Sequence, residues 1–261
     1  MTDWGIGQYE LTASQSASVA PRVLDACEPV EERRLLDIAC GTGNLAVVAA
    51  QRQAAVTGLD GSARLLDVAA GRARSGGLTI EWVEGDFHEL PFADDSFDVI
   101  TSVFGIIFAD KPQAAVAEVA RVLEPAGRIA VTTWLDEGPM KAIQASFESR
   151  IAQSQGPPTG DDASPGFDWG DQDQLRLLFA EHGLAVRCER QTLALEAESP
   201  EAQNEIWFSH HPPFLEMAEL LGDSGYEAMR AECLAQLRAI NEDPEAFRMT
   251  LPYLIVSGSP V

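Results

Sequence analysis

Three aspartates and one glycine turn are spaced so that together they could hold a small polar molecule. Gly41-Thr42-Gly43 follows the apolar run that begins at Leu35, and Asp37 lies within that run. Asp60 closes a second apolar run, seventeen residues after Gly43. Asp86 follows a third, in the segment EGDFHELPF. A strand that passes through a Gly-x-Gly turn into a helix leaves the first helical N–H groups unpaired, and the glycines permit close approach of a ligand to the backbone. On this reasoning a valine at Gly43 should block the ligand and leave the fold intact.

The pattern from Gly41 to Ala46 fits the loose dinucleotide signature, and an acid at the position of Asp60 can accept hydrogen bonds from both hydroxyls of a ribose. Asp37 changes the ligand class. A carboxylate beside the turn repels a pyrophosphate at close range but suits an ammonium group. A phosphate-free, cationic nucleoside such as S-adenosylmethionine fits both acids. Asp86 could then accept from the adenine amino group, with Phe87 packed on the ring. A nicotinamide-dependent oxidoreductase remains the alternative that the glycines and Asp60 alone would allow.

The elements that must position these residues alternate. Strands are expected at 35–40, 55–60, 78–84, 97–104, 128–134 and 184–190, with a last one from Tyr253. Helices are expected over 44–53, 62–74, a segment opening at Pro112, and one capped by Asp171. In the helix opening at Pro112, Val116, Val119, Ala120 and Leu123 form one apolar face, and the EPAG segment at 124–127 turns the chain. Alternation of this kind argues for a parallel sheet covered on both faces. Another helix is expected between Ser14 and Pro29. Residues 154–170, rich in Gly, Pro, Ser and Asp, read as a long loop, and residues 199–249 as helical, broken at Pro212-Pro213 and Gly222.

Composition narrows the partners. Among 261 residues, 41 are acidic and 18 are Lys or Arg, a formal net charge of −23 that repels nucleic acid and anionic membranes. Cys27, Cys40, Cys188 and Cys233 are scattered and read as free thiols of a reducing cytoplasm. No signal peptide or membrane-spanning stretch is visible, and no metal site is expected.

The segments LLDIACGTGNLA, VTGLDGSARLLDVAAGRA, EGDFHELPFADDSFDVITSVFGIIF and AAVAEVARVLEPAGRIAVTTW, in this order from Leu35 to Trp134, resemble the class I S-adenosylmethionine-dependent methyltransferases. The resemblance is to the small-molecule branch that includes the ubiquinone/menaquinone biosynthesis methyltransferases. It implies a Rossmann-like, doubly wound α/β fold with seven strands in the order 3-2-1-4-5-7-6, strand 7 antiparallel. A helical cap at 1–30 and a helical substrate lid at 191–250 would flank a sheet core at 31–190 and 251–261, all one domain.

The resemblance also implies a cofactor set. Ala39, Gly41 and Gly43 line the methionyl part, with Asp37 near its ammonium directly or through water. Asp60 and Gly61 face the ribose, Asp86 and Phe87 the adenine, and Ser102 and Val103 lie beneath the methionyl group. Gly61 is a departure, since relatives more often carry a larger residue there. Tyr9, in WGIGQYE, matches an aromatic that closes over the cofactor in some relatives.

Methyl transfer from a sulfonium needs orientation first and a base only where the acceptor proton has a high pKa. His182 reads as a helix end and His88 as a surface loop residue. His210 and His211, in WFSHHPPF, are the base candidates, and their adjacency argues against a shared metal ion. Trp207, Phe208, Phe214, Leu215, Met217, Leu220, Leu221 and Met229 could form core or line an apolar pocket. The expectation is therefore a cytoplasmic enzyme that uses S-adenosyl-L-methionine to methylate a small, partly hydrophobic molecule. Oxygen is the favoured acceptor, with carbon or nitrogen next. A protein that keeps the cofactor without transferring methyl stays open, as does a homodimer.

Overall fold

The computed structural model describes residues 2–141, 143–145, 147, 150 and 167–261. Its strands are β1 (Arg34–Ile38), β2 (Ala55–Asp60), β3 (Glu81–Glu84), β4 (Phe97–Ser102), β5 (Leu123–Trp134), β6 (Leu184–Ala197) and β7 (Phe247–Pro260). The described helices are α1 (Tyr9–Gln15), α2 (Val19–Ala26), α3 (Asn44–Gln51), α4 (Ala63–Ser75), α5 (Pro112–Val122), α6 (Gln172–Glu181), α7 (Pro200–His210) and α8 (Pro212–Ile240). The strands form one seven-stranded sheet in the order β3-β2-β1-β4-β5-β7-β6. β1 through β5 pair in parallel, and β7 runs antiparallel to β5, with Trp134 opposite Tyr253. This is the expected order and the expected reversed strand.

Two compact units divide the chain. One comprises Ser16–Leu135, Phe167–Gln191 and Tyr253–Val261; the other comprises Met1–Gln15, Asp136–Gly166 and Thr192–Pro252. Of the residues before β1, α2 belongs to the first of these units and α1 to the second.

In the sheet unit the central strands are apolar because both faces are covered. Leu36, Ile38, Ile100, Ile129, Val131, Leu254 and Val256 are buried together with Val116 and Val119 of α5 and Leu175, Leu178 and Phe179 of α6. Capping fixes the helix starts: the Ser62 hydroxyl accepts from Leu65 N–H, and the Asp171 carboxylate from Asp173 and Gln174 N–H. His182 is the C-cap of α6, as expected.

Several boundaries differ from expectation. The helix expected between Ser14 and Pro29 is two short helices, α1 and α2. β3 begins at Glu81, three residues late, because Gly76 and Gly77 draw the end of α4 into a turn. Most of the loop expected at 154–170 lies outside the described residues. At EPAG, Leu123 pairs with Phe97 and Arg128 with Val99, so 124–127 loop out of a strand already under way. In the second unit, α7 and α8 pack against each other. Gly222 interrupts α8 at φ 64° and ψ 169°, where a break was expected.

Candidate cofactor-binding site

Residues 39–43 make a tightly wound turn at the carboxyl end of β1. Ala39, Gly41 and Gly43 all have positive φ, at 50°, 54° and 75°. Cys40 N–H donates to the Leu59 carbonyl and Gly43 N–H to the Cys40 carbonyl, so the turn is pinned to β2. Gly43 is also the N-cap of α3 and offers no side chain to its orphan N–H groups.

Glycine at 43 also has a reason inside the protein. A Cβ there would come 2.9 Å from the Trp82 ring and 3.1 Å from the Ala69 methyl. A Cβ on Gly58 would meet the same ring at 2.5 Å. Gly43 therefore faces packed protein, and a valine at this position would strain the fold itself. Arg72 of α4 holds the turn from outside. One guanidinium nitrogen donates to the Thr42 carbonyl at 2.6 Å, the Thr42 hydroxyl at 3.1 Å and the Asn44 side-chain oxygen at 2.8 Å.

Asp37 lies beneath the turn, 1% exposed. Its Oδ1 accepts from the Thr101 hydroxyl at 3.0 Å, and its carboxylate also takes the Ala46 N–H. Asp37 thereby supplies from the strand the cap that Gly43 cannot supply. Burial pushes its pKa up to about 7, eased by those two donors and reinforced by nearby Asp60. Asp60, 8% exposed, aims one oxygen at Gly41 N–H (2.7 Å) and the other at Ser62 N–H (2.9 Å). Burial raises its pKa too, against those two bonds. A carboxylate has about four acceptor positions, so both oxygens keep lone pairs for a ligand. Gly61 is exposed, and a Cβ on it would meet only the Gly85 carbonyl, at 3.8 Å, so this departure from the family leaves open space.

After β3, Asp86 is exposed and Phe87 is half-buried, packed against the sheet core. The Asp86 Oδ1 accepts from His88 N–H at 2.8 Å, and that bond, with the imidazole, holds its carboxyl below the usual range. His88 is not the surface residue expected, because its side chain is only 12% exposed.

At the end of β4, Ser102 is fully buried; its hydroxyl donates to the Ile38 carbonyl at 2.9 Å and accepts from Ile106 N–H. Val103 is half-buried. Phe104 adopts φ 54° and stacks on Trp134 with ring centres 3.7 Å apart. The carboxyl ends of β1, β2, β3 and β4 thus bring together Asp37, Ala39, Gly41, Gly43, Asp60, Gly61, Asp86, Phe87, Ser102 and Val103 at the edge where open α/β sheets bind ligands. A cleft of about 450 Å³ lined by Glu28, Arg128 and Arg187 lies at the opposite edge and holds none of them.

Residues 36–131 match the family described as "Methyltransferase domain". An uncharacterized protein of Mycobacterium tuberculosis is 30% identical over 223 residues, 85% of this chain and 80% of that one. The demethylmenaquinone methyltransferase of Clavibacter sepedonicus is 41% identical over 107 residues, 41% of this chain and 43% of the relative. The chain belongs to the class I S-adenosylmethionine-dependent methyltransferases.

Its cofactor is S-adenosylmethionine, and the nicotinamide alternative falls with that membership. The fold agrees. The YcgJ protein from Bacillus subtilis superposes with a TM-score of 0.62 at 19% identity, covering 92% of this chain and 97% of that one. The [4+2]-cyclase SpnF superposes at 0.59 and 21% identity, covering 98% and 85%.

The remaining expected residues of this methyltransferase lie in the other unit. Tyr9 and His211 come together there, with ring centres 5.9 Å apart, and Trp4 meets both edge-on. Phe214 lies 5.6 Å from His211 and packs on Trp207 and Phe208. Burial lowers the His211 pKa to about 4, and its Nδ1 has no hydrogen-bond partner among the described residues. His210 ends α7, and its carbonyl accepts from Gln8 N–H. Trp207, Phe208 and Met229 are core, whereas Phe214, Leu215, Met217, Leu220 and Leu221 remain half-buried. No described helix is long and apolar enough to cross a membrane.

Arg72, Trp82, His88 and Phe104 make contacts around these strand ends and turns that the sequence does not reveal. The only sequence signal for any of them was proximity to a motif.

Proposed function

We propose that this methyltransferase acts on a small, partly hydrophobic organic molecule, with a hydroxyl oxygen favoured and carbon or nitrogen next. The observation that carries this is the aromatic group around His211, continued by half-buried apolar side chains on the first turns of α8. Such surroundings favour an apolar ligand fixed by a few polar groups. The name of the C. sepedonicus relative, a demethylmenaquinone methyltransferase, supports the same class.

The residues at the sheet edge fit the cofactor's chemistry. Asp60 is oriented by two backbone donors and keeps lone pairs for ribose hydroxyls. Asp86 is held ionised as an acceptor for the adenine amine, with Phe87 against the ring. Gly41, Gly43 and Ala39 cradle the methionyl part above Ser102 and Val103. Asp37 contributes negative charge from beneath the turn. The bound cofactor supplies an electrophilic methyl group on a sulfonium. Within the second unit, Tyr9 of α1 and the apolar side chains of α7 and α8 supply the surface offered to the substrate. His211, neutral at working pH, accepts the acceptor's proton in preference to His210. Four free cysteines support a reducing, cytoplasmic setting.

Incubation with S-adenosylmethionine and separate panels of phenols, quinols, amines and carbon acids, read by mass spectrometry, tests this. A methylated phenol or quinol is expected. Asp60→Ala should weaken S-adenosylhomocysteine binding by about 1–3 kcal/mol. Tight cofactor binding with no methylated product in any panel would instead favour a protein that keeps the cofactor and does other work.

A further inference from the structure

His88 joins two loops that the sequence keeps apart. Its Nδ1 lies 2.7 Å from Asp86 Oδ1, on the loop after β3. Its Nε2 lies 3.0 Å from Asp110 Oδ1, just before α5, a close approach outside hydrogen-bonding angle. Its ring also packs on Phe87, with centres 4.7 Å apart. The two carboxylates are 60% and 65% exposed, whereas the imidazole between them is 12% exposed. One polar side chain is thus walled in by two acids and an aromatic ring at the edge where the cofactor binds.

The arrangement divides the labour of Asp86. Oδ1 takes both His88 N–H and the ring nitrogen, while Oδ2 has no partner among the described residues. A carboxylate with one oxygen anchored points its other oxygen in a fixed direction. Free on an exposed loop, the same group would sample several rotamers, and fixing it would cost conformational entropy on binding.

We propose that His88 is a positioning residue for nucleobase recognition: held against Asp110 and bonded to Oδ1 of Asp86, it aims the free oxygen of Asp86 at the exocyclic amine of adenine. The proposal rests on the reading above that Asp86 addresses adenine. It goes further, because it assigns selectivity for adenine over hypoxanthine to a histidine that would not itself touch the base.

The probes are S-adenosylhomocysteine and its deaminated counterpart S-inosylhomocysteine, in which a carbonyl replaces the amine. Both are titrated calorimetrically into the full chain. The unmodified protein should prefer the adenine compound. His88→Phe keeps the ring packing but removes both nitrogens, and should narrow that preference about fivefold. His88→Asn, whose amide can replace Nδ1–H, should restore most of it. Asp86→Ala should narrow the preference at least as far as His88→Phe.

If His88→Phe weakens both ligands equally, the histidine is merely structural and the proposal fails. If Asp86→Ala narrows the preference while His88→Phe does not, the Asp86 assignment stands and the role of His88 alone is overturned. If Asp86→Ala leaves the preference unchanged, Asp86 does not read the base, and both ideas fall.

Discussion

A Cβ on Gly105 would come 2.4 Å from the Cβ of Ala39. The two residues belong to different loops, one after β1 and one after β4, and each makes the other's size necessary. Ala39 holds its methyl at φ 50°, a conformation that costs a non-glycine residue about 1–2 kcal/mol. Gly105→Ala should therefore destabilise the protein by more than 2 kcal/mol or so and weaken cofactor binding. Ala39→Gly alone should be near neutral, since relief of strain offsets the greater freedom of the unfolded chain. The double variant should recover part of the loss, because the Ala39 carbonyl (3.0 Å) and Ser102 hydroxyl (3.1 Å) still crowd position 105. Denaturation midpoints for the four proteins measure this coupling, and strict additivity would refute it.

The Trp82 ring fills the space beside Gly43 and Gly58. Gly43→Val should therefore lower thermal stability as well as cofactor affinity, in contrast to the intact fold that the glycine motif by itself suggests. Trp82 is half-buried, so Trp82→Ala should cost less than the roughly 3–5 kcal/mol of a fully buried aromatic. It should also make alanine at Gly58 far better tolerated than in the parent. Melting curves with and without S-adenosylhomocysteine separate lost folding from lost binding. Unchanged stability in Gly43→Val would contradict both the ring contact and the strain that φ 75° imposes on a β-branched residue.

Burial raises Asp37 from 3.8 to about 7, so the folded protein without cofactor holds a proton there that the unfolded chain releases. That contribution to stability is complete below 3.8 and is lost as pH rises through about 7. The raised Asp60 acts in the same direction. A cationic ligand nearby favours the ionised form, so cofactor binding near neutral pH should release a fraction of a proton from Asp37. Calorimetry in two buffers of different ionisation enthalpy reads this directly, and the release should vanish near pH 9. Asp37→Asn should abolish it and flatten the pH dependence of the cofactor-free melting midpoint. Proton release that persists unchanged in the variant would shift its source to Asp60 or another group.

What was legible in the sequence was local. β2 could be read residue for residue because an apolar run ends at an acid and a capping serine follows. β7 starts six residues before the expected Tyr253, because Pro252 reads as a break although Phe247, Met249 and Leu251 alternate inward ahead of it. The positions of Asp37, Asp60 and Asp86 followed from strand ends, but the partners of Asp37 did not. Its cap on α3 and its bond to Thr101 depend on the turn's path and the β1–β4 register. Arg72 reads as one more exposed arginine on an amphipathic helix, because the groups it holds at Thr42 and Asn44 lie about a helix and a strand away in sequence. His88 looks solvated for the same reason, since Asp110 arrives from another loop.

The aromatic surroundings of His211 make a prediction that separates it from its neighbour. Burial lowers its folded pKa from 6.5 to about 4, so the stability it contributes is present above 6.5 and is lost as pH falls through about 4. His211→Phe should therefore raise the melting midpoint at pH 5 relative to the parent and change it less at pH 8. In turnover, an already neutral His211 gives no rate limb near 6.5. The acid side of the kcat profile should stay flat through pH 6. His211→Gln should lower kcat by roughly 100-fold or more if it accepts the acceptor's proton, with S-adenosylhomocysteine affinity unchanged. A limb near 6.5 that disappears in His210→Gln would move the proton-accepting role to His210. Full turnover in both variants would mean that orientation alone suffices and that the acceptor loses its proton to water.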